Sequence, residues 1–223
     1  MTELIDRSSG EYFRKNRASI TQYLSKGANR VLDVGCGAGY FGAYMKQNNF
    51  AAHVTGIELN KKAADEASRN LDHVYCVDLN KVTIAETLNP SMSQQFEYIT
   101  CNDVLEHLID PWQALYDLTK LLTPNGRVIA SIPNVRHWSV LVPLVFRGEW
   151  KYQDAGIMDR THLRFFTKSS ILQMFEAAGL DIIELHPLTG GKWKLIDKYS
   201  MHMLREFVAI QWIIVGKCKI NKF

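Results

Sequence analysis

The chain has 223 residues, of which 47% are hydrophobic and 22% charged, with a formal net charge of +3. This length and mixture suit one globular domain with a real core and exclude disorder as the default state. The basic residues form no Lys/Arg stripe and the pI is near 8.6, so nucleic acid is not an expected partner.

Strand-like and helix-like blocks alternate along the chain, which predicts an α/β fold with a mainly parallel sheet. A first helix is expected over Tyr12–Ser25 on the apolar positions Tyr12, Phe13, Ile20, Tyr23 and Leu24. Arg30–Val34 follows as a short strand running into glycines, then a helix over Tyr40–Asn48. Val54–Glu58 and Lys61–Ala67 read as the second strand and its helix, Val74–Val77 as the third strand, and Phe96–Cys101 as the fourth. A helix spans Pro111–Leu122. Thr123-Pro-Asn-Gly126 is a turn signal, and Gly126–Ile132 is a fifth strand closed by Pro133. Residues 134–166 fit the alternation poorly and carry the aromatics Trp138, Phe146, Trp150 and Tyr152. They read as an excursion over the strand ends, a candidate lid within a single domain over 1–223. Thr167 reads as the N-cap of a helix over Lys168–Ala178, with Gly179 as its stop. Two final strands are expected at Leu180–His186 and Val208–Lys217, separated by a second lid piece around Trp193.

Val31-Leu-Asp-Val-Gly-Cys-Gly-Ala-Gly39 is the strongest local signal. A fully apolar strand enters Gly35, Gly37 and Gly39, where glycine lets a ligand approach the backbone closely. The helix that follows offers free N–H donors to a ligand carboxylate. Asp33, in the last turn of the strand, suits a ligand amino group and would repel a pyrophosphate. Glu58 ends the second strand, where an acid accepts both ribose hydroxyls. Asp78 ends the third, where it accepts the exocyclic amine of adenine, with Leu59 and Leu79 beside the ring. Each acid alone has a structural alternative as a helix cap; three at successive strand ends behind one glycine turn point to a shared ligand. Gly37-Ala-Gly-Tyr-Phe-Gly42 also matches the dinucleotide G-x-G-x-x-G pattern, so a nicotinamide- or nucleotide-dependent oxidoreductase stays open as an alternative.

Four cysteines, Cys36, Cys76, Cys101 and Cys218, form no C-x-x-C pair, which argues against a thiolate zinc site. Three of them sit in apolar strand-like stretches or at a strand end, as thiols do in a reducing cytosol. Residues 1–17 are polar and charged, unlike a secretion signal, and the longest apolar runs, at 140–146 and 207–216, are too short to cross a bilayer. The expected setting is cytoplasmic, without stable membrane insertion.

Val31–Gly39 resembles motif I of the class I S-adenosylmethionine (SAM)-dependent methyltransferases. Ile57-Glu58 is similar to their ribose-binding acid, and Val77-Asp78-Leu79 to their adenine contact. Phe96–Pro111, FEYITCNDVLEHLIDP, resembles the segment after strand four in a subset that includes the ubiquinone-type O-methyltransferases. Leu121–Arg127 is like their turn before strand five. Asp159–Thr167, DRTHLRFFT, resembles a segment of bacterial methyltransferases associated with glycan and secondary metabolism. The resemblance covers about residues 30–185. It implies a Rossmann-like, seven-stranded, mainly parallel sheet with the last strand antiparallel, helices on both faces and a lid after strand five. It also implies that Asp33 and the Gly35–Cys36–Gly37–Gly39 turn hold the methionine part of SAM. Glu58 and Leu59 would serve the ribose, Asp78 and Leu79 the adenine, and Asn102 would line the pocket near the methionine part.

Asp103, Glu106 and His107 follow strand four, and a helical turn there would put them on one face. His107, with an ordinary pKa near 6.5, suits a general base for an attacking hydroxyl. Alternatively, Asp103, Glu106, His107 and His162 surround a divalent ion such as Mg²⁺. A similar E-x-x-E-H plus distant His arrangement occurs in ubiquinone-type and small-RNA 2′-O-methyltransferases, and here the first acid is the shorter Asp. The structural alternative is that Glu106 pairs locally and His107 packs at the sheet edge. Arg160 and Arg164 either pair with acids or hold an acidic acceptor. The expected activity is O-methylation of a small-molecule or saccharide hydroxyl; a non-catalytic SAM-binding protein remains the third reading.

Overall fold

The computed structural model describes residues 18–27, 29–88, 95–190 and 199–218. Seven strands, β1 (Arg30–Val34), β2 (His53–Glu58), β3 (His73–Cys76), β4 (Phe96–Asn102), β5 (Leu122–Pro133), β6 (Leu180–Leu188) and β7 (Gln211–Cys218), lie in the order β3-β2-β1-β4-β5-β7-β6. The first five are parallel to their neighbours, and β7 runs antiparallel to both β5 and β6. The last strand is the inverted one, as the sequence implied.

Side chains alternate across the sheet with the period of two that a strand imposes. Val31, Ile129, Ile213 and Val215 enter one apolar layer, while their neighbours Leu32, Val128, Trp212 and Ile214 enter the other. Helix α1 (Tyr40–Gln47) closes the first layer with Phe41 and Met45, and Ala67 of α2 (Lys61–Ala67) joins it. The second layer is closed by α3 (Ile84–Thr87), α4 (Pro111–Thr119) and, after α5 (Trp138–Arg147), by α6 (Lys168–Ala177). A last short helix, α7 (Arg205–Val208), precedes β7. The boundaries have local causes. Pro111 sits in the first turn of α4 behind Asp110, whose side chain accepts from the Gln113 N–H. Thr167 and Ser170 form a reciprocal capping box at α6, and Gly179 at φ 81° follows its end.

Three expectations need correction. The first helix is described only over Ala18–Tyr23, as a 3₁₀ turn; Tyr12 and Phe13 lie outside the described residues. The Thr123–Gly126 turn does not precede β5 but interrupts its ladder. Phe96 pairs with Leu122 and Tyr98 with Arg127, so the turn is a local bulge on a strand already paired. Within 134–166 the excursion contains a ten-residue helix, α5, capped by His137 and carrying Pro143. Only Val140 of this helix is buried, and Phe146 is 80% exposed. The expected lid piece at Trp193 lies outside the described residues. No described helix is long and apolar enough to cross a membrane.

Candidate functional site

The chain leaves β1 towards β2 and β3 on one side and returns at β4 on the other. Loops on either side of such a reversal diverge and leave a crevice at the carboxyl ends of the strands. Here the crevice is a cleft of about 510 Å³, within the range of small-molecule sites. Asp33, Glu58, Asp78 and Asn102 all line it. They stand at the tips of the four neighbouring strands β1 to β4, so a ligand touching Asp33 and Asp78 spans about 10 Å across the strands.

The glycine turn is held in place before any ligand arrives. Gly35, Gly37 and Gly39 have φ of 70°, 56° and 79°, backbone angles that side chains resist. The N–H groups of Gly35 and Cys36 donate to the Ile57 carbonyl at 2.8 and 3.1 Å. A Cβ on Gly35 would lie 2.5 Å from Cγ2 of Val104. Gly39 is not on the cleft wall. It caps α1, and a Cβ there would lie 3.0 Å from Cα of Ala67. Its part is to let α1 meet α2 closely. Gly42 is similar, since its Cβ would lie 2.3 Å from Cδ2 of Leu71.

Asp33 is buried and its Oδ1 accepts from the Thr100 hydroxyl at 2.6 Å. Glu58 Oε2 accepts from Gly37 N–H at 2.9 Å and Oε1 from Asn60 N–H at 2.7 Å. Each carboxylate oxygen accepts two bonds, so the oxygens retain capacity for ligand hydroxyls. Burial pushes the Glu58 pKa up, opposed by those backbone donors. Asp78 accepts from the Asn80 N–H at 3.0 Å and pairs with Lys81 at 3.4 Å. Leu59, Leu79 and Cys36 complete the predicted set on the wall, and burial keeps the Cys36 thiol protonated. Asn102 is 5% exposed, and neither Oδ1 nor Nδ2 has a hydrogen-bond partner. A buried amide in that state is costly. It fits a cleft whose ligand brings polar groups to the β1–β4 junction, as the methionine end of SAM does.

The segment after β4 departs from the expected single helical face. Asp103 has φ 54° and precedes a short 3₁₀ turn over Leu105–His107. Its carboxylate accepts from Ser131 Oγ at 3.2 Å and Gln211 Nε2 at 2.6 Å, tying β4 to β5 and β7. Asp103 therefore stands apart from Glu106 and His107, because a left-handed residue ahead of a three-residue turn breaks the i, i+3 relation. Glu106, His107 and His162 do converge: one donor atom of each lies within 4.8 Å of the others. The two imidazoles lie 4.7 Å apart at 76°.

His107 Nδ1 lies 3.2 Å from both the carbonyl and the hydroxyl oxygen of Thr161, and His162 Nδ1 lies 3.0 Å from the Ile157 carbonyl. A carbonyl only accepts, so each neutral ring carries its proton on Nδ1 and its lone pair on Nε2. Burial and His162 push the His107 pKa below the usual imidazole value, against the Thr161 carbonyl, Asp159 and Asp103. His107 is on the cleft wall; Glu106, 1% exposed, and His162 are not.

Several cleft residues escaped sequence reasoning. Asn80 donates to the His107 carbonyl at 3.1 Å and accepts from Ile109 N–H at 2.7 Å, latching the loop after β3 to the loop after β4. The D-L-N run hinted at a turn, but nothing in the sequence named its partner. Thr161 was equally silent. Arg160 lines the cleft while paired with Asp154, and Arg164 donates to the Ile109 carbonyl and lies over Trp112. Asn134, fully buried, anchors the lid: its Nδ2 donates to the carbonyls of Glu206 and Ala209 at 2.7 and 2.8 Å.

The profile of a methyltransferase domain family matches residues 8–185. A ubiquinone biosynthesis O-methyltransferase of Dechloromonas aromatica is 31% identical over 183 residues, covering 82% of this chain and 76% of the relative. One from Aeromonas salmonicida is 29% identical over 185 residues, covering 80% and 76%. A SAM-dependent methyltransferase from Archaeoglobus fulgidus shares the fold, with a TM-score of 0.64 at 17% identity and 97% of each chain covered. The family match sets aside the dinucleotide reading of Gly37–Gly42. With acids at three adjacent strand tips facing one cleft and a profile that spans the glycine turn and the lid alike, the chain belongs to the class I SAM-dependent methyltransferases.

Proposed function

We propose that the enzyme methylates a hydroxyl of a small-molecule acceptor, with His107 as the base. The observation that carries this is His107 on the cleft wall with Nδ1 fixed by Thr161, which leaves Nε2 to take a proton. SAM, when bound, supplies an activated methyl group for in-line transfer. Asp33, Asn102 and the Gly35–Gly37 turn hold its amino-acid end, Glu58 its ribose, and Asp78 with Leu79 its adenine. The chain's remaining task is orientation: the lid over 134–166 excludes water and brings the acceptor hydroxyl towards His107. The relatives' names support O-methylation; a saccharide hydroxyl rests on the resemblance of Asp159–Thr167 alone. A cytoplasmic setting accords with the free cysteines. The test is demethylated-cofactor release with a panel of catechols, phenols and sugars, run on the native enzyme and on His107→Ala. Turnover should fall by about 10²–10⁴ with SAM affinity kept, and full activity in the variant would discard His107 as base.

The cluster favours a second reading, in which Glu106, His107 and His162 hold a divalent ion. Mixed nitrogen and oxygen donors fit such an ion, and rings pinned at Nδ1 by carbonyls are the usual outer support of metal-binding imidazoles. The ion would lower the pKa of the acceptor hydroxyl. Activity lost on chelation and restored by Mg²⁺ or Mn²⁺ supports this reading; chelator-insensitive turnover without bound metal by elemental analysis removes it.

A further inference from the structure

A second cavity, of about 230 Å³, lies at the N-terminal end of α5. Its walls include the apolar side chains Val140, Ile157, Met158 and Ile210, together with His137 and Gln153; no ionised side chain lines it. The volume exceeds the roughly 150 Å³ that holds a benzene ring in a protein interior. Most of its wall is side chains from the lid, and nothing in the cofactor reading uses it.

His137 is the unusual member. It is 6% exposed. Its Nδ1 accepts from the Ser139 N–H at 3.3 Å, capping α5, and lies 2.7 Å from the Ser139 hydroxyl. An Nδ1 that accepts from a backbone N–H carries no proton, so the neutral ring bears its proton on Nε2. Burial pushes the His137 pKa down and so favours that neutral ring. Nε2 is shielded from solvent and has no hydrogen-bond partner. Buried donors in that condition are rare and are commonly satisfied by a bound molecule.

The cavity also abuts the reacting end of the cleft. Bonds from Gln153 N–H to the Met158 carbonyl (2.7 Å) and from Arg160 N–H to the Gln153 carbonyl (2.9 Å) close a turn over 153–160. Gln153, Ile157 and Met158 of this turn face the second cavity, while Arg160 and the adjoining Thr161 face the cofactor cleft. The same short segment holds both imidazoles, His162 through the Ile157 carbonyl and His107 through Thr161.

We propose that this second cavity is the docking subsite of the acceptor, taking a neutral, mostly apolar ring-sized group whose oxygen accepts a hydrogen bond from His137 Nε2–H. This rests on the reading of 134–166 as the acceptor lid. His137 is a specificity residue, and the turn over 153–160 is the partition between the docked group and the transferred methyl.

The test uses 2-methoxyphenol as the probe, titrated into the full chain with and without saturating SAM. Ring ¹⁵N signals of histidine and methyl ¹³C signals of isoleucine, valine and methionine are followed by NMR. The expected result is a shift of His137 Nε2–H and of the Val140, Ile157 and Ile210 methyls. His137→Asn keeps a short acceptor for the Ser139 N–H and removes the distal donor. It should weaken the probe about two- to tenfold, the worth of one hydrogen bond, with melting temperature and SAM affinity unchanged. His137→Gln, which restores a donor at similar reach, should recover most of the loss. Shifts confined to the cofactor cleft, no binding in either state, or equal binding by His137→Asn would each overturn the subsite. The SAM-free titration needs no methyl transfer. A protein that takes the probe at His137 yet never releases demethylated cofactor refutes the proposed reaction and leaves the subsite standing.

Discussion

The tips of β1 to β3 and the lid over 134–166 build the two walls of one site by different means. On the first wall, Asp33, Glu58 and Asp78 each end a strand, and parallel pairing alone sets them side by side. On the second, His107, Thr161 and His137 come from a short turn, an irregular strap and a helix cap, and each is placed by a single contact across tens of residues. The first wall is rigid because the sheet core stands behind it. The second depends on a few polar anchors such as Asn134 and Asn80. Cofactor binding should therefore be sensitive to charge at the strand tips, and acceptor handling to the anchors.

The largest effect that would sharpen this contrast is on SAM affinity. Asp33→Ala removes a buried charge from the methionine end of the cleft and should weaken binding about 10- to 100-fold by calorimetry, the scale of a charge-assisted hydrogen bond. Unchanged affinity would move the cofactor elsewhere. Next is Gly35→Ala, where a side chain would meet Val104 and resist φ 70°. It should cost about 1–3 kcal/mol in denaturant unfolding, and SAM affinity should fall as well.

Glu58 gives a pH-dependent test. Its pKa is held above the usual carboxylate value by burial, and the ionised form is the one that accepts from both ribose hydroxyls. SAM affinity should be full above that raised pKa and decline as pH falls through it, starting at a higher pH than an ordinary carboxylate would give. In the ligand-free protein the sign reverses: a raised acid pKa favours the folded state while protonated, and that advantage fades as pH rises through the folded pKa. Glu58→Gln should bind SAM weakly with a flat profile over the same window. A native profile in that variant would contradict the ribose assignment.

The smallest expected effect separates the walls most cleanly. Asn134→Ala removes two buried bonds that anchor the lid and should lower stability by about 1–3 kcal/mol. The acceptor KM should rise while SAM affinity stays within about twofold, a change of only a few tenths of a kcal/mol. An equal loss of SAM affinity would mean that the two walls are not independent.

Legibility followed the same division. Val31–Gly39 announced its own strand, turn and helix because apolar run, glycines and helix start are adjacent in the chain, and Glu58 and Asp78 could be named from strand ends alone. Asp103 was misjudged because a helical face was assumed where the backbone turns left-handed. Gly39 was assigned to the ligand when its demand comes from Ala67, a helix away. The helix of the lid went unread because its apolar residues face outward on most sides, so the amphipathic period that signals a helix was missing.

By itself the sequence determined the α/β order, the inverted last strand and the three acids of the cofactor cleft, since these follow from periodicity and from residues at the ends of strands. Only the tertiary structure decided that Glu106, His107 and His162 meet without Asp103, that Asn80 and Asn134 fasten the loops, and that His137 sits beside a second cavity. Those relations are contacts between segments far apart in the chain, and no local pattern encodes which distant carbonyl or amide a side chain will find.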